Sequence, residues 1–338
     1  MNKRAHRISK AGNINRLQIV ETDLEAPAPN EVQVDVKAIG LNFADIFAMY
    51  GLYSATPKGS FVPGLEYAGV VIQVGDDVES VKRGDRVMGV TKFGGYTSAI
   101  NIDHRYITNL PDDWSFQEGA AYLVQALTAY YALVNLGGLK QGDTVLIHSA
   151  AGGVGLLANR IAKKLGAFTI GTVGNERKIP LLKSEGYDRW IVRGGYFSQK
   201  LNEALHGRDL NIILECIGGK IFKIGYELMA RQGRMVVYGS ARYGQTGARP
   251  NYLKLIAKYL TRAKIDPQKM IEENKAILGF NLIWLYDKAD LMREILIELE
   301  TLNLPAPYVG HQFQFEEMKQ AIQLFQTGQT TGKVIVNV

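Results

Sequence analysis

The stretch from Val145 to Gly155 constrains the fold more than any other part of the chain. Residues 145–149 are mostly apolar and include two β-branched residues, which is typical of a buried strand. Small residues follow at 150–153, and residues 154–165 have the pattern of a helix. A strand, a glycine turn and a helix in this order form an anion site, because backbone N–H groups and the helix N-terminus face the same point.

The turn also fits the dinucleotide pattern G-x-G-x-x-G, with Ala150 in the first place, Gly152 in the second and Gly155 in the third. An ordinary turn without a ligand is the alternative, since a single match of this kind is weak. If the pattern is functional, five consecutive residues bind the cofactor's phosphates: Ala151, Gly152, Gly153, Val154 and Gly155.

Length and composition limit the classes of protein that the chain can belong to. Its 338 residues exceed what one core usually supports, so two domains are expected, and no apolar run reaches the ~18 residues of a membrane span. A single cysteine, Cys216, excludes an internal disulfide and a multi-cysteine zinc site. We therefore expect a reducing, cytoplasmic location.

The net charge of +6 raises the question of nucleic acid binding. The sequence has no long basic run and no basic stripe interleaved with aromatic residues, so we expect no nucleic acid partner. A moderately basic surface that attracts a phosphate-rich ligand is the simpler interpretation.

Residues 1–125 are rich in strand patterns, and the following part alternates strands with helices. Strands are predicted at 31–37, 67–75, 85–90 and 95–102. A capping box, Ser115 with Glu118, predicts one long helix over residues 118–135. The alternation beyond it indicates an α/β fold with a parallel sheet.

Three segments follow from these patterns: a β-rich domain (1–125), a dinucleotide domain (126–270), and a segment (271–338) that adds to the sheet edge and returns to the first domain. The last segment contains a predicted strand at 277–284, an amphipathic helix at 289–302 and a final β-α-β unit over 313–336.

The residues beyond the glycine turn favour NADP(H) over NAD. An enzyme that uses NAD usually has an acid about 20 residues past the glycines, to bind the ribose 2′-hydroxyl. Thr172 stands there, and Lys178 follows shortly after. Lys178, and less strongly Arg193 at the end of the next strand, are candidates to bind a 2′-phosphate. Tyr238 and Ser240 end a further strand at the sheet edge where ligands bind in such folds.

Blocks spread over essentially the whole chain resemble the zinc-independent quinone oxidoreductase (zeta-crystallin) group of medium-chain dehydrogenases/reductases. They are Gly40-Leu-Asn-Phe-Ala-Asp45, Gly51-Leu-Tyr53, Pro63-Gly-Leu-Glu-Tyr-Ala-Gly69, Val81-Lys-Arg-Gly-Asp-Arg-Val87, Leu127-Thr-Ala-Tyr130, Ala150-Ala-Gly-Gly-Val-Gly155 and Gly332-Lys-Val334. The segment Gly279-Phe-Asn-Leu282 is most similar to the branch of vesicle amine transport protein homologues.

The resemblance implies a GroES-like catalytic domain, a Rossmann domain that binds NADP(H), and a homodimer joined through the edge of the Rossmann sheet. It also implies that no metal takes part. Zinc enzymes of this superfamily place ligands where Asn42 and Leu65 stand and near Val124, and these residues do not ligate zinc.

The resemblance places Asn42, Asp45 and Tyr53 around the substrate and the nicotinamide. It assigns further nicotinamide contacts to Thr128, Phe280, Leu282 and Lys333. Tyr53 is open to two interpretations: a phenol that donates to a developing oxyanion, as in related enoyl-thioester reductases, or a tyrosine that packs a loop.

The function expected from the sequence is NADPH-dependent reduction of quinones or other activated alkenes and carbonyls. Two alternatives stay open at this point. One is an enoyl-thioester reductase, and the other is a non-catalytic, vesicle-associated protein that binds NADPH.

Overall fold

The structure is a computed structural model that describes residues 2–338. Its first part is a β-rich domain whose strands are β1 (Asn2–Ile8), β2 (Leu17–Asp23), β3 (Glu31–Gly40), β4 (Glu66–Val74), β5 (Arg86–Val90), β6 (Ala99–Asp103) and β7 (Ile107–Asn109). Helix α1 (Phe43–Tyr50) follows β3. The long strand β3 pairs antiparallel with both β4 and β6, and its alternating valines enter the core.

The four strands predicted in this domain are confirmed with one shift of boundary. The strand predicted from residue 95 begins only at Ala99. Gly94 has a φ of 102°, and the backbone N–H groups of Gly95 and Tyr96 donate to the carbonyls of Gly64 and Pro63. This local turn delays the start of the strand.

The helix predicted over residues 118–135 forms with the capping box of Ser115 and Glu118, but it is interrupted at residues 120–122. The chain forms α2 (Phe116–Gly119), then α3 (Leu123–Tyr130), then a π-helical turn (Tyr131–Leu136). The break allows the N-terminus of α3 to face a buried acid, because the N–H of Val124 donates to Glu66 Oε2 at 3.1 Å. A carboxylate at a helix N-terminus is stabilised by the unpaired N–H groups there.

The second domain is the predicted parallel sheet with helices on its faces. Its strands are β8 (Thr144–Ile147), β9 (Phe168–Val173), β10 (Arg189–Val192), β11 (Ile212–Glu215), β12 (Arg234–Val237) and β13 (Ala276–Gly279), and its helices are α4 (Gly153–Lys164), α5 (Ile179–Ser184), α6 (Phe197–Leu205) and α7 (Gly219–Leu228). The strand order is β10-β9-β8-β11-β12-β13. The order reverses beside β8, and this is where such sheets bind ligands.

The remaining elements are α8 (Tyr252–Leu260), α9 (Pro267–Glu273), α10 (Ala289–Thr301), β14 (Val309–Gln314), α11 (Met318–Gln326) and β15 (Lys333–Asn337). The strand predicted over 277–284 ends early, at Gly279, and residues 282–287 form a 3-10 helix. Strand β15 pairs antiparallel with β3 and parallel with β14. The final β-α-β unit therefore completes the seven-stranded sheet of the β-rich domain.

Among the helices of residues 2–338, none combines the length and the apolar character that a membrane span requires.

Candidate active site

The glycine turn after β8 has the geometry of an anion site. Gly152 is the N-cap of α4, and no side chain caps this helix. Its first N–H groups therefore lack side-chain acceptors and face the cleft described below. Gly155 allows the helix to approach the strand closely, since a Cβ there would lie 2.6 Å from the carbonyl oxygen of Ser149.

A cleft of about 1150 Å³ lies between the two domains, and the glycine turn forms part of its wall. Fifteen of the residues predicted from the sequence line it: Asn42, Tyr53, Thr128, Ala151, Gly152, Gly153, Val154, Gly155, Lys178, Arg193, Tyr238, Ser240, Phe280, Leu282 and Lys333. The two that do not are Asp45 and Thr172. The charged residues of the lining are Lys178, Arg193 and Lys333, and no Asp or Glu in the described chain belongs to it. The lining thus favours an anionic ligand.

Lys178 and Arg193 lie at one end of this cleft. Lys178 Nζ donates to the carbonyl oxygens of Gly328 and Thr330 at 2.8 and 2.7 Å. Burial lowers the pKa of Lys178, and the charge of Arg193 lowers it further. Two cations that repel each other are stabilised when an anion of double charge binds between them.

Thr172, which the spacing predicts at the ribose, is fully buried and is not part of the cleft lining. Its hydroxyl interacts with His148 Nδ1 at 2.8 Å and accepts a bond of 2.9 Å from Arg193. Thr172 therefore orients Arg193 and makes no direct contact with the cleft.

A buried ionic cluster forms the floor of the cleft on the catalytic side. Lys333 Nζ lies 2.5 Å from Glu66 Oε1 and 2.8 Å from Asn42 Oδ1. Asn42 Nδ2 and Gln125 Nε2 donate to the same Glu66 oxygen at 2.9 and 2.5 Å. Burial lowers the pKa of Lys333, and the adjacent Glu66 carboxylate opposes that shift. The cluster joins β4, α3, β15 and the start of α1.

Asp45 lies under this cluster and organises the loop before α1. Its Oδ2 accepts from the backbone N–H of Asn42 and from the Tyr96 hydroxyl, each at 2.8 Å. Oδ1 is buried and has no hydrogen-bond partner in the described structure. Burial raises the pKa of Asp45 to about 7. Asp45 holds Asn42 in place and does not reach the cleft.

Tyr53 forms a hydrogen bond across the cleft. Its hydroxyl donates to Asn281 Oδ1 at 2.6 Å, and burial raises its pKa to about 12. Asn281 precedes a 3-10 helix as its N-cap, yet its side chain makes no capping bond. The amide oxygen of Asn281 instead binds the phenol of the opposite domain, so Tyr53 is a neutral donor with a fixed direction.

The remaining predicted residues lie between these groups. Thr128 lines the cleft from α3, and Tyr238 with Ser240 extends beyond the end of β12. Phe280 packs edge-on against Tyr131, with ring centroids 5.0 Å apart. The thiol of Cys216 is buried, and burial raises its pKa, so this thiol is poorly suited to act as a nucleophile.

The positions that zinc enzymes of the superfamily use do not fit a metal here. Asn42, Leu65 and Val124 all line the cleft, but Asn42 is bound to Glu66 and Lys333, and the other two side chains are apolar. Within residues 2–338, no group of three or more His, Cys, Asp or Glu is placed to hold a metal ion. The Lys333 ammonium is the cation adjacent to Asn42.

The fold joins a GroES-like β domain to a Rossmann-type parallel sheet, and a glycine turn lies where the strand order reverses. These features define the class of two-domain dehydrogenases. Two family models match: the alcohol dehydrogenase GroES-like domain over residues 28–112 and the zinc-binding dehydrogenase domain over residues 153–282.

Relatives and solved structures agree with this class. The synaptic vesicle membrane protein VAT-1 homolog of Rattus norvegicus is 30% identical over 314 residues, which cover 92% of this chain and 78% of that protein. Quinone oxidoreductase of Escherichia coli, solved with NADPH, has a TM-score of 0.85 and 28% identity, with all of both chains covered. The CurK enoyl reductase has a TM-score of 0.85 and 26% identity, with 99% of each chain covered. The chain belongs to the medium-chain dehydrogenase/reductase family.

Three residues of the site were not predicted from the sequence: Glu66, Gln125 and Asn281. Glu66 stands within an apolar run next to Leu65, and an acid in such a run needs a buried partner. That signal could have pointed to Glu66. Asn281 stands between two predicted contacts, Phe280 and Leu282, but its bond to Tyr53 depends on domain packing that the local sequence does not encode.

Proposed function

We propose that the protein is an NADPH-dependent, zinc-independent reductase of quinones or related activated alkenes and carbonyls. The observation that carries the proposal is the lining of the cleft. The uncapped N-terminus of α4 opens into it, its charged residues are all basic, and apolar side chains such as Leu52, Leu65 and Phe280 also line it.

The choice of NADPH over NADH rests on Lys178 and Arg193. Both cations lie in the cleft without an acid beside them in the lining, where an NAD enzyme has a carboxylate for the ribose. A 2′-phosphate placed between them relieves their mutual repulsion. The glycine turn then receives the pyrophosphate, in line with the general use of helix N-termini.

On the substrate side, the residues supply positioning and hydrogen-bond donors. When bound, the nicotinamide supplies the hydride. The Tyr53 hydroxyl has a single proton, which it donates to Asn281 in the free protein, and it can give that hydrogen bond to a substrate oxygen that takes the place of the Asn281 amide oxygen. Such a donor stabilises negative charge that develops on a carbonyl or quinone oxygen. Asn42, fixed by Asp45 and Lys333, supplies a second polar group to the lining of the same cleft.

Cofactor binding and turnover test the proposal separately. We expect tight binding of NADPH in a fluorescence titration, and oxidation of NADPH when 9,10-phenanthrenequinone or an enone is added. Failure to bind either dinucleotide would refute the proposal. Binding of NADPH without turnover across a broad panel of electrophiles would support the non-catalytic alternative.

An enoyl-thioester reductase is the second candidate, supported by the position of Tyr53 in the cleft and by the likeness to the CurK enoyl reductase. Tyr53→Phe distinguishes the two. It should remove most of the rate on an acyl-thioester and leave cofactor binding intact. A quinone needs less help, since its reduced oxygens take protons from water, so its rate should change little.

We also propose a cytoplasmic homodimer. The β13 strand is an edge of the parallel sheet, and pairing of two copies along it would extend the sheet.

A further inference from the structure

Four polar residues form a row across the carboxyl ends of the parallel strands. They are Arg193, Thr172, His148 and Glu215, and they are called the polar row below. Arg193 follows β10, Thr172 lies in β9, His148 follows β8 and Glu215 ends β11. These four strands are neighbours in the sheet, in that order. The polar row therefore lies at the edge of the sheet where such folds bind ligands.

The members of the polar row contact one another in turn. Arg193 Nη1 donates to the hydroxyl and to the carbonyl oxygen of Thr172, each at 2.9 Å. The Thr172 hydroxyl lies 2.8 Å from His148 Nδ1, and His148 Nε2 lies 3.4 Å from Glu215 Oε2. Thr172, His148 and Glu215 are at most 1% exposed, whereas Arg193 lines the cleft. The row thus connects a buried acid to a cation of the cleft.

The neighbours of each group determine where its proton points. The Thr172 hydroxyl accepts from Arg193, so its single proton goes to His148 Nδ1, the other polar atom that the described residues place within hydrogen-bond distance. His148 then carries its own proton on Nε2, facing Glu215. Neither His148 Nε2 nor Glu215 Oε2 has a hydrogen-bond partner elsewhere in residues 2–338. Each donor of the row therefore points from Arg193 towards Glu215.

The electrostatics of the polar row agree with this arrangement. Burial lowers the pKa of His148 to about 3, so its ring is neutral and carries one proton at pH 7. Burial raises the pKa of the Glu215 carboxyl, while two backbone N–H groups and the charge of Arg193 oppose that rise. Only Nη1 of Arg193 has an acceptor within residues 2–338, so Nε and Nη2 are free to bind a ligand in the cleft.

We propose that His148 and Glu215 are positioning residues that give the protein a preference for NADPH over NADH, a role that rests on the proposed function. Acting through Thr172, they hold the Arg193 guanidinium in the direction that receives the 2′-phosphate. Apolar residues of similar size would fill the same buried space without the desolvation cost of an imidazole and a carboxylate. Because the row ends on Arg193, the fixed direction of that guanidinium is the benefit that offsets this cost.

Cofactor binding by variants of His148 tests this role. The Kd values of NADPH and NADH are measured by fluorescence titration of the full chain. His148→Leu leaves the Thr172 hydroxyl proton without an acceptor, so the hydroxyl reorients and no longer accepts from Arg193. We expect the Kd of NADPH to rise about tenfold, as for the loss of one hydrogen bond to a charged group, while the Kd of NADH changes little. His148→Asn places an amide oxygen near the position of Nδ1, so it should retain most of the affinity for NADPH.

A double-mutant cycle shows whether His148 acts through Arg193. In an Arg193→Met background, His148→Leu should have no further effect on the Kd of NADPH. The matched control is His6→Leu, the same change at a histidine of the β-rich domain that is 3% exposed and bonds to a backbone carbonyl. It should leave the Kd of both dinucleotides as in the unmodified protein.

Variants of Thr172 carry the test if loss of the His148 ring unfolds the protein. Thr172→Val removes the hydroxyl at nearly constant shape and should raise the Kd of NADPH about tenfold, with little change for NADH. Thr172→Ser keeps the hydroxyl and should retain most of the affinity.

Glu215→Gln tests the far end of the polar row. It keeps an acceptor for the backbone N–H groups of Ile217 and Gly218, but its amide protons oppose the Nε2 proton of His148. The Kd of NADPH should rise by about threefold, less than in His148→Leu, because Glu215 acts through two neutral groups. An unchanged Kd would refute the role of Glu215.

Three results would overturn the role of His148. They are equal rises in the Kd of NADPH and NADH, an effect of His148→Leu that persists in the Arg193→Met background, and equal Kd values of the two dinucleotides for the unmodified protein. Failure of the unmodified protein to bind either dinucleotide is a different outcome. It refutes the proposed reductase itself, and the role of the polar row in cofactor choice falls with it.

Discussion

Removal of the Lys333 ammonium should destabilise the protein strongly. Glu66 is 1% exposed, so Lys333→Met leaves its carboxylate buried without a counter-charge. The donors that remain are the N–H of Val124 and the amides of Gln125 and Asn42. Breaking a buried pair by removal of one partner costs about 3–5 kcal/mol. Since domains are stable by about 5–15 kcal/mol, this cost is a large part of the total.

The double variant K333M/E66Q isolates the reason for the loss. The amide that replaces the Glu66 carboxylate keeps an acceptor for the Val124 N–H and carries no charge, so most of the lost stability should return.

The matched control is Lys92→Met. Lys92 and Asp287 form a pair of equal length, 2.5 Å, but their side chains are 48% and 63% exposed. A surface pair of this kind contributes about 0–1 kcal/mol.

The measurement is the free energy of unfolding in urea, followed by tryptophan fluorescence and by far-ultraviolet circular dichroism. Two probes are needed because a two-domain chain can unfold in steps. An uncompensated Glu66 charge is not the cause of the loss if K333M costs no more than K92M, or if K333M/E66Q is no more stable than K333M alone.

Three further predictions concern other parts of the site. Asn281→Ala should raise kcat/KM for an acyl-thioester by up to about tenfold, because the Asn281 amide competes with the substrate for the single proton of the Tyr53 hydroxyl, and in a Tyr53→Phe background it should have no effect; equal changes in both backgrounds would contradict this coupling. Lys178→Ala should raise the Kd of NADPH by about 10–100-fold in a fluorescence titration, while the Kd of NADH, which serves as the control, changes little. Asp45, whose pKa is raised to about 7 by burial, retains in the folded state a proton that it loses when unfolded above about pH 4. The contribution of Asp45 to the free energy of unfolding should therefore fall as pH rises from about 4 to about 7. The difference in that free energy between the unmodified protein and Asp45→Asn, measured by urea unfolding, should shrink or reverse over the same range. A constant difference would show that Asp45 does not titrate there.

The sequence predicts the parts of the fold that depend on local patterns. The alternation in β3 and the glycine turn after β8 are each encoded by a stretch of about a dozen residues, and both elements form where the sequence predicts them. The helix predicted over 118–135 is interrupted just before α3, where Glu66, far away in the sequence, accepts from the N-terminus of that helix. Local propensity does not contain that interaction.

The candidate site shows the same division. The spacing rule places Thr172 at the ribose, but the side chain turns inward to His148 and Arg193. The alternation of side chains along β9 decides which face Thr172 points to, and a count of residues from the glycines does not. The bond from Tyr53 to Asn281 joins two domains, so only their packing reveals it.

Strand β15 also sets the order in which the β-rich domain can be completed during synthesis. Ala38, Ile39 and Gly40 in β3 pair with β15, which is made roughly 300 residues later. At about 5–20 residues per second, this part of β3 waits about 15–60 s for its neighbour. The parallel sheet of the second domain is finished sooner, because β13 precedes β15 by more than fifty residues. During translation the nascent chain therefore presents an open strand edge at β3, and the β-rich domain is the part of this protein most exposed to mispairing until its last strand is made.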